Sequence, residues 1–145
     1  YGEGQNPFRN FGVVAAFLGA IATDSEITIW GDGSAIRDFI YVGDAVEASV
    51  VASRYEGSER IFNIGSGEGT SLRELVDLLE KVTGKQANRR YLPARGGDVP
   101  AVVLDCQRAL KAFGWAPATP LAEGLARTWE WCRTVPREGK SRNGK

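Results

Sequence analysis

The chain has 145 residues, 43% of them apolar, enough for one domain of ordinary size with a real core. Eighteen Lys and Arg balance eighteen Asp and Glu, so the net charge does not point to gripping nucleic acid or an anionic membrane. The absence of His excludes imidazole base catalysis and His-ligated metals, and the two cysteines, Cys106 and Cys132, make neither a CxxC pair nor a four-ligand zinc site.

Residues 1–11 (YGEGQNPFRNF) are rich in Gly, Asn and Pro and read as loop. The longest apolar run, GVVAAFLGAIA at 12–22, would span about 17 Å as a helix, against the ~30 Å of a bilayer core. It lacks the basic flank of a signal peptide, so the expectation is a soluble, cytoplasmic chain. The spacing predicts a helix over 12–23, apolar on every side and therefore covered all round. ITIW (27–30) predicts a strand, ended by the turn-forming Gly31-Asp32-Gly33-Ser34. FIYV (39–42) predicts a second strand. Asp44 and Glu47 have the spacing of a capping box and predict a helix to about Arg54. IFNI (61–64) predicts a third strand, followed by a loop with Gly65, Gly67 and Gly69.

Ser71 and Glu74 form another capping-box pattern. Leu72, Leu75, Val76, Leu79 and Val82 then recur at helical spacing, and Gly84 stands where a left-handed cap belongs. RRYL (89–92) and VVL (102–104) predict weaker strands. Asp105 can cap a short helix over 106–113 that ends at Gly114. Thr119-Pro120 reads as a cap with proline at the first helical position, and Leu121, Leu125, Trp129 and Cys132 fall on one stripe beyond it. The polar, basic tail 137–145 is expected to be disordered, which leaves 1–136 as the folded portion. Strands alternating with helices mean an α/β fold. The all-apolar first helix needs more cover than these elements easily supply, so the pattern reads as part of a larger α/β protein.

Several local features invite chemistry, and each has a plainer reading. IFNIGSGEGTSLREL is a strand, a Gly-rich loop and a helix, like a dinucleotide-binding turn. GxGxxG starting at Gly65 requires glycine at position 70, which is Thr70, so the reading is a tight connection capped by Ser71. Gly31-Asp32-Gly33 lacks the later acidic ligands of a calcium loop, since positions 36 and 43 are Ile36 and Gly43, and reads as a turn. Trp30 reads by default as core, and Arg37-Asp38 as an ion pair with the aspartate bonding backbone. In Arg95-Gly-Gly-Asp98 a guanidinium on a glycine turn offers forked donors that suit a diphosphate.

Taken in order, YGEGQNP (1–7), ITIWGDGSAIRDFIYVGDAVEA (27–48), FNIGSGEGTSLREL (62–75), RGGDVPAVVLD (95–105) and FGWAPATPLAEGL (113–125) resemble one family. It is the NAD-dependent epimerase/dehydratase family, the extended short-chain dehydrogenases, with UDP-glucose 4-epimerases as the most similar type. The resemblance covers residues 1–133. It implies the C-terminal, substrate-binding part of an NAD(P)-binding Rossmann-like fold, a small mixed sheet with flanking helices, with the N-terminal Rossmann portion absent.

The resemblance also implies a nucleotide-sugar site. The strand Thr28, Ile29 and Trp30 would hold the base, with backbone groups on its edge and Trp30 beside its ring. Arg37 and Arg95 would contact the diphosphate, Asp38 would fix the following strand, and Asp98 would take the ribose hydroxyls. Residues around Val13 to Phe17 would line the site, and Val102 stands where the epimerases often carry a larger residue near the sugar. No metal is implied.

The family's chemistry passes a hydride to NAD while a tyrosine acts as base, its pKa lowered by a lysine and the cofactor. Four residues after Tyr1, Tyr41, Tyr55 and Tyr91 stand Gln5, Ala45, Glu59 and Arg95, none of them Lys. The Gly-rich NAD loop is missing too, and so is Met, even at position 1. A processed chain or a piece of a longer one is therefore expected, inactive alone and not expected to bind NAD by itself. Its expected partners are a UDP-sugar and either the missing Rossmann half or a second copy through exposed apolar surface. The alternatives are a free-standing nucleotide-sugar binding module and a truncated product without biochemical function.

Overall fold

The apolar run at the start forms α1 (Val13–Ala22), and none of its ten residues is exposed. It is the first element of the computed structural model, which describes residues 1–9 and 11–136. The N-terminal loop crosses α1 so closely that a Cβ on Gly19 would lie 1.9 Å from the Pro7 carbonyl oxygen. Space, rather than backbone angle, calls for glycine there.

β1 (Glu26–Trp30) alternates strictly, with Ile27 and Ile29 buried and Glu26, Thr28 and Trp30 exposed. Gly31 and Gly33, at φ 78° and 80°, turn the chain toward β2 (Ile36–Asp38). Next come α2 (Val42–Ala52), β3 (Gly69–Ser71), α3 (Leu72–Thr83), β4 (Asn88–Leu92), α4 (Gln107–Phe113) and α5 (Leu121–Cys132). β1 pairs in parallel with β4, Trp30 opposite Leu92, and β2 pairs antiparallel with β3, Arg37 opposite Thr70. A single parallel bridge joins Ile36 to Ala101. The strands are therefore two small sheets flanked by helices rather than one, among the described residues.

The main core lies where α1, β1, α3 and α5 meet. Leu18, Ile27, Ile29, Leu75, Leu79 and Leu125 are fully buried there, and each such side chain stabilises the fold by about 1.5–3 kcal/mol relative to exposure. α3 has the cap that its sequence announces. Glu74 N donates to Ser71 Oγ, Ser71 N donates to the Glu74 carboxylate, and Gly84 closes the helix at φ 68°. A second cluster gathers Ala48, Ala109 and Trp115, with Phe62 and Phe113 edge-to-face at 4.9 Å. Of the α5 stripe, Leu125, Trp129 and Cys132 are buried and Leu121 half-buried.

The structure corrects several local expectations. FIYV is not a strand: β2 stops at Asp38, Tyr41 caps α2, and Val42 is already helical. IFNI is not a strand either. Its side chains alternate as a strand's would, with Phe62 and Ile64 turned into the second cluster, but no neighbouring strand bonds its backbone among the described residues. VVL is not a strand: the single bridge falls on the preceding Ala101, Val102 N donates to Ile36 O, and Leu104 N donates to the Asp38 carboxylate. Asp44 makes no capping box, because α2 begins before it and its carboxylate accepts from Thr119 N and Thr119 Oγ1, both at 3.0 Å. That engagement also removes Thr119 as a cap, and Pro120 takes the capping position of α5 instead. The tail 137–145 lies outside the described residues.

Candidate functional site

A cleft of about 600 Å³ opens between α1 and the exposed face of β1. Alternation in β1 puts Thr28 and Trp30 on its floor and sends the Ile29 side chain the other way, into the core. Ile29 can therefore serve a ligand only through its backbone. β1 has β4 on one edge and no strand on the other among the described residues. The wall from α1 runs from Ala16 to Ala20, about a turn later than the expected Val13 to Phe17, because Val14 points into the core. Pro7, the last residue of YGEGQNP, and Phe8 also line the cleft, though the resemblance gave neither a role there.

Arg95 closes one end of this cleft, its guanidinium carbon 3.7 Å from the centre of the Trp30 ring. A planar cation over an indole face is attracted by the ring's quadrupole and keeps its in-plane N–H donors free to point outward. The turn that carries it continues through Gly97, at φ 89°, to the exposed Asp98, whose N–H donates to Arg95 O at 3.5 Å. Thr28, Trp30 and Arg95 are thus brought together, and Asp98 follows on the same turn.

Arg37 is placed differently. It sits on β2, and its Nη1 donates to Ile36 O at 2.7 Å and to Val99 O at 2.8 Å. Its partner is the far end of the turn that bears Arg95.

Asp38 occupies the loop that resembled a dinucleotide-binding turn. Its Oδ1 accepts from Ser66 N and Ser66 Oγ, both at 2.6 Å, and its Oδ2 accepts from Gly67 N at 3.0 Å and Leu104 N at 3.2 Å. Burial pushes this carboxyl up, but the bonds from Ser66, Leu104 and Gly67 outweigh burial and hold it below the usual carboxylate range. A pyrophosphate would need the same N–H groups, so this loop does not fit one. The acidic group of the Gly31–Gly33 turn is likewise engaged, Asp32 Oδ1 accepting from Ser34 N and Oγ. Among the described residues no group of three or more His, Cys, Asp or Glu could hold a metal. Burial pushes the Cys132 thiol up to about 11, which leaves it unreactive.

A second cleft, of about 480 Å³ and largely apolar, lies between Val103, Leu110, Trp115 and Pro117. It holds none of the expected site residues. No helix among the described residues is long and apolar enough to cross a membrane.

Residues 1–65 match the model of the NAD dependent epimerase/dehydratase family. The chain is 40% identical, over 133 residues, to a UDP-glucose 4-epimerase of Mycolicibacterium smegmatis, which covers 92% of this chain and 42% of that protein. It is 38% identical over 125 residues to a dTDP-4-dehydro-6-deoxyglucose reductase of Escherichia coli, covering 86% of this chain and 40% of that one. The structure of a Thermotoga maritima UDP-glucose 4-epimerase with UDP-glucose superimposes with a TM-score of 0.86 at 41% identity, over 92% of this chain and 43% of that one. That of the Thermus thermophilus UDP-glucose 4-epimerase with NAD gives 0.83 at 33% identity, over 94% of this chain and 44% of that one. The chain thus spans about two fifths of the length of these relatives.

Proposed function

The chain belongs to the NAD dependent epimerase/dehydratase family, and from that premise we propose that it is the nucleotide-sugar-binding, C-terminal portion of a larger enzyme. The observation that carries this reading is the meeting of Thr28, Trp30 and Arg95 at one cleft. A base lies against Trp30, with the backbone of Thr28 to Trp30 at its edge. Arg95 offers a fork of donors that matches two diphosphate oxygens, Asp98 takes the ribose hydroxyls, and Arg37 serves the site from the other end of the turn. Relatives named for UDP- and dTDP-linked sugars support a nucleoside diphosphate sugar as the ligand class, and 40% identity to a UDP-glucose 4-epimerase favours a UDP-sugar.

NAD is not a ligand of these residues in this reading. The Gly-rich loop is filled by Asp38, and the 145 residues contain no Tyr-x-x-x-Lys. The cofactor and the base belong to the Rossmann portion. A docking surface for that portion is on hand. Val42, Val46 and Val50 repeat every fourth residue on α2 and are 37%, 57% and 47% exposed, and Ile61 is 75% exposed on the extended segment that lacks a strand neighbour. Without the Rossmann portion the same surface drives association of two copies.

Titration calorimetry with UDP tests the site. The isolated chain should bind UDP weakly and lose that binding on Arg95→Ala; binding that ignores Arg95→Ala would overturn the assignment. With NAD and UDP-glucose it should form no UDP-galactose. The self-contained core of α1, β1, α3 and α5 favours a second reading, a free-standing binding module. Tight binding by the isolated chain would select it.

A further inference from the structure

Trp30 is 37% exposed on β1, and the Arg95 guanidinium lies over its ring, the carbon 3.7 Å from the ring centre. That is the separation of two stacked planes, so no base fits between them. Both residues line one cleft, so a base entering it meets a ring face that is already taken. Little else holds the arginine. Residues 93–100 are exposed throughout, and a Cβ on Gly96 or Gly97 would meet nothing within 4 Å. On β4, Arg89 is paired with Asp77 and Glu80, and Arg90 with Glu26. Among the described residues no carboxylate pairs with Arg95, and its charge is answered by the indole.

We propose that Arg95 is a specificity-determining residue that guards the base position: its guanidinium stands on Trp30 where a base would stack, and only a ligand with a diphosphate draws it away. The proposal rests on the nucleotide-sugar reading and adds selectivity to it. A base without phosphates trades its own stacking for the cation–π contact that it displaces, one ring contact for another. A diphosphate offers the displaced guanidinium two anionic oxygens that match its fork, and those bonds are stronger than the contact given up. The exposed turn with its two glycines lets Arg95 make this move without disturbing the core. One side chain thus counts against nucleosides and for nucleoside diphosphates.

The test compares uridine with UDP on the 145-residue chain, by amide NMR titration of the wild type and two variants. Arg95→Ala should lose UDP binding and yet bind uridine about two- to fivefold more tightly, the ratio that a cation–π contact of about 0.5–1 kcal/mol corresponds to. Arg95→Lys keeps the charge without the planar face, so it should retain part of the UDP binding and show a smaller gain for uridine. Uridine affinity that is unchanged or weakened in Arg95→Ala would overturn the guard. A direct signal comes from the Arg95 Nε–H, whose resonance the indole ring current should shift until UDP is added or Trp30→Leu removes the ring. A resonance that keeps its shift with UDP bound would overturn the guard as well. Where uridine binds neither wild type nor Arg95→Ala, this ring-current signal decides. If neither ligand binds at millimolar concentration, the nucleotide-sugar reading fails and the guard with it. If UDP binds and the uridine change has the wrong sign, the guard alone fails.

Discussion

The carboxylate of Asp38 sits against the backbone of Ser66, accepting from its N–H and its hydroxyl at 2.6 Å each. With the bonds from Gly67 and Leu104, one side chain joins β2, the Gly-rich loop and the segment beyond residues 93–100. Gly65 allows the approach, since a Cβ there would lie 2.6 Å from Asp38 Oδ2.

Asp38→Asn should lower stability by about 2 kcal/mol in urea unfolding, because an amide turns its own N–H toward at least one backbone donor. The wild type has an acid limb that the variant lacks. The folded pKa of Asp38 is lowered, so its contribution is fully present above the ordinary carboxylate pKa and is lost as pH falls through the lowered value. The stability difference between the two proteins should therefore shrink on acidification below about pH 4. A difference that stays constant down to pH 2 would contradict this account.

Asp44 is 5% exposed, and Thr119 supplies both side-chain-directed donors described for it, while Trp115 Nε1 donates to its carbonyl. Thr119→Val keeps the shape and removes the hydroxyl, leaving the buried Oδ1 short of a partner at about 1–3 kcal/mol. Thr119→Ser should restore most of the loss. Denaturation midpoints of the three proteins decide it.

The valines of α2 should make the chain self-associate. Val46→Lys with Val50→Glu should shift it toward monomer in light scattering, with folded stability changed by less than about 0.5 kcal/mol, since both positions are exposed. A wild-type chain that is already monomeric at high concentration would rule out this surface.

Gly19→Ala should cost about 1–3 kcal/mol, because its Cβ meets a backbone oxygen rather than a yielding side chain. The N-terminal loop should be displaced, with faster proteolysis near Pro7.

Much of this fold could be read from local chemistry. The cap at Ser71, the apolar spacing through Leu79 and the stop at Gly84 act within one helix, and the structure has all three. ITIW is the strand that its residues predict, but Trp30, read by default as core, lies with Thr28 on the exposed face, because β1 alternates and buries Ile27 and Ile29 instead. What failed depends on partners distant in sequence. FIYV and IFNI have strand chemistry, yet a strand needs a neighbouring strand: among the described residues FIYV meets only the backbone of Tyr1 before α2 begins, and no named strand pairs with IFNI. Asp44 has the spacing of a cap, but Thr119 claims its carboxylate from 75 residues away. The site divides the same way. That Trp30 is exposed follows from its strand, whereas the stacking of Arg95 on it depends on a pairing that no short motif encodes.

That pairing, Trp30 opposite Leu92, makes β4 a ruler. Arg95 lies three residues beyond Leu92, so its reach to Trp30 is measured off in steps of about 3.3 Å from a fixed mark. Deleting Ala94 would leave the core and both sheets untouched and still bring the guanidinium up short of the indole. In this chain the count of residues between a strand and its turn decides whether the guanidinium meets the indole, and a length change there would part them in a protein that still folds.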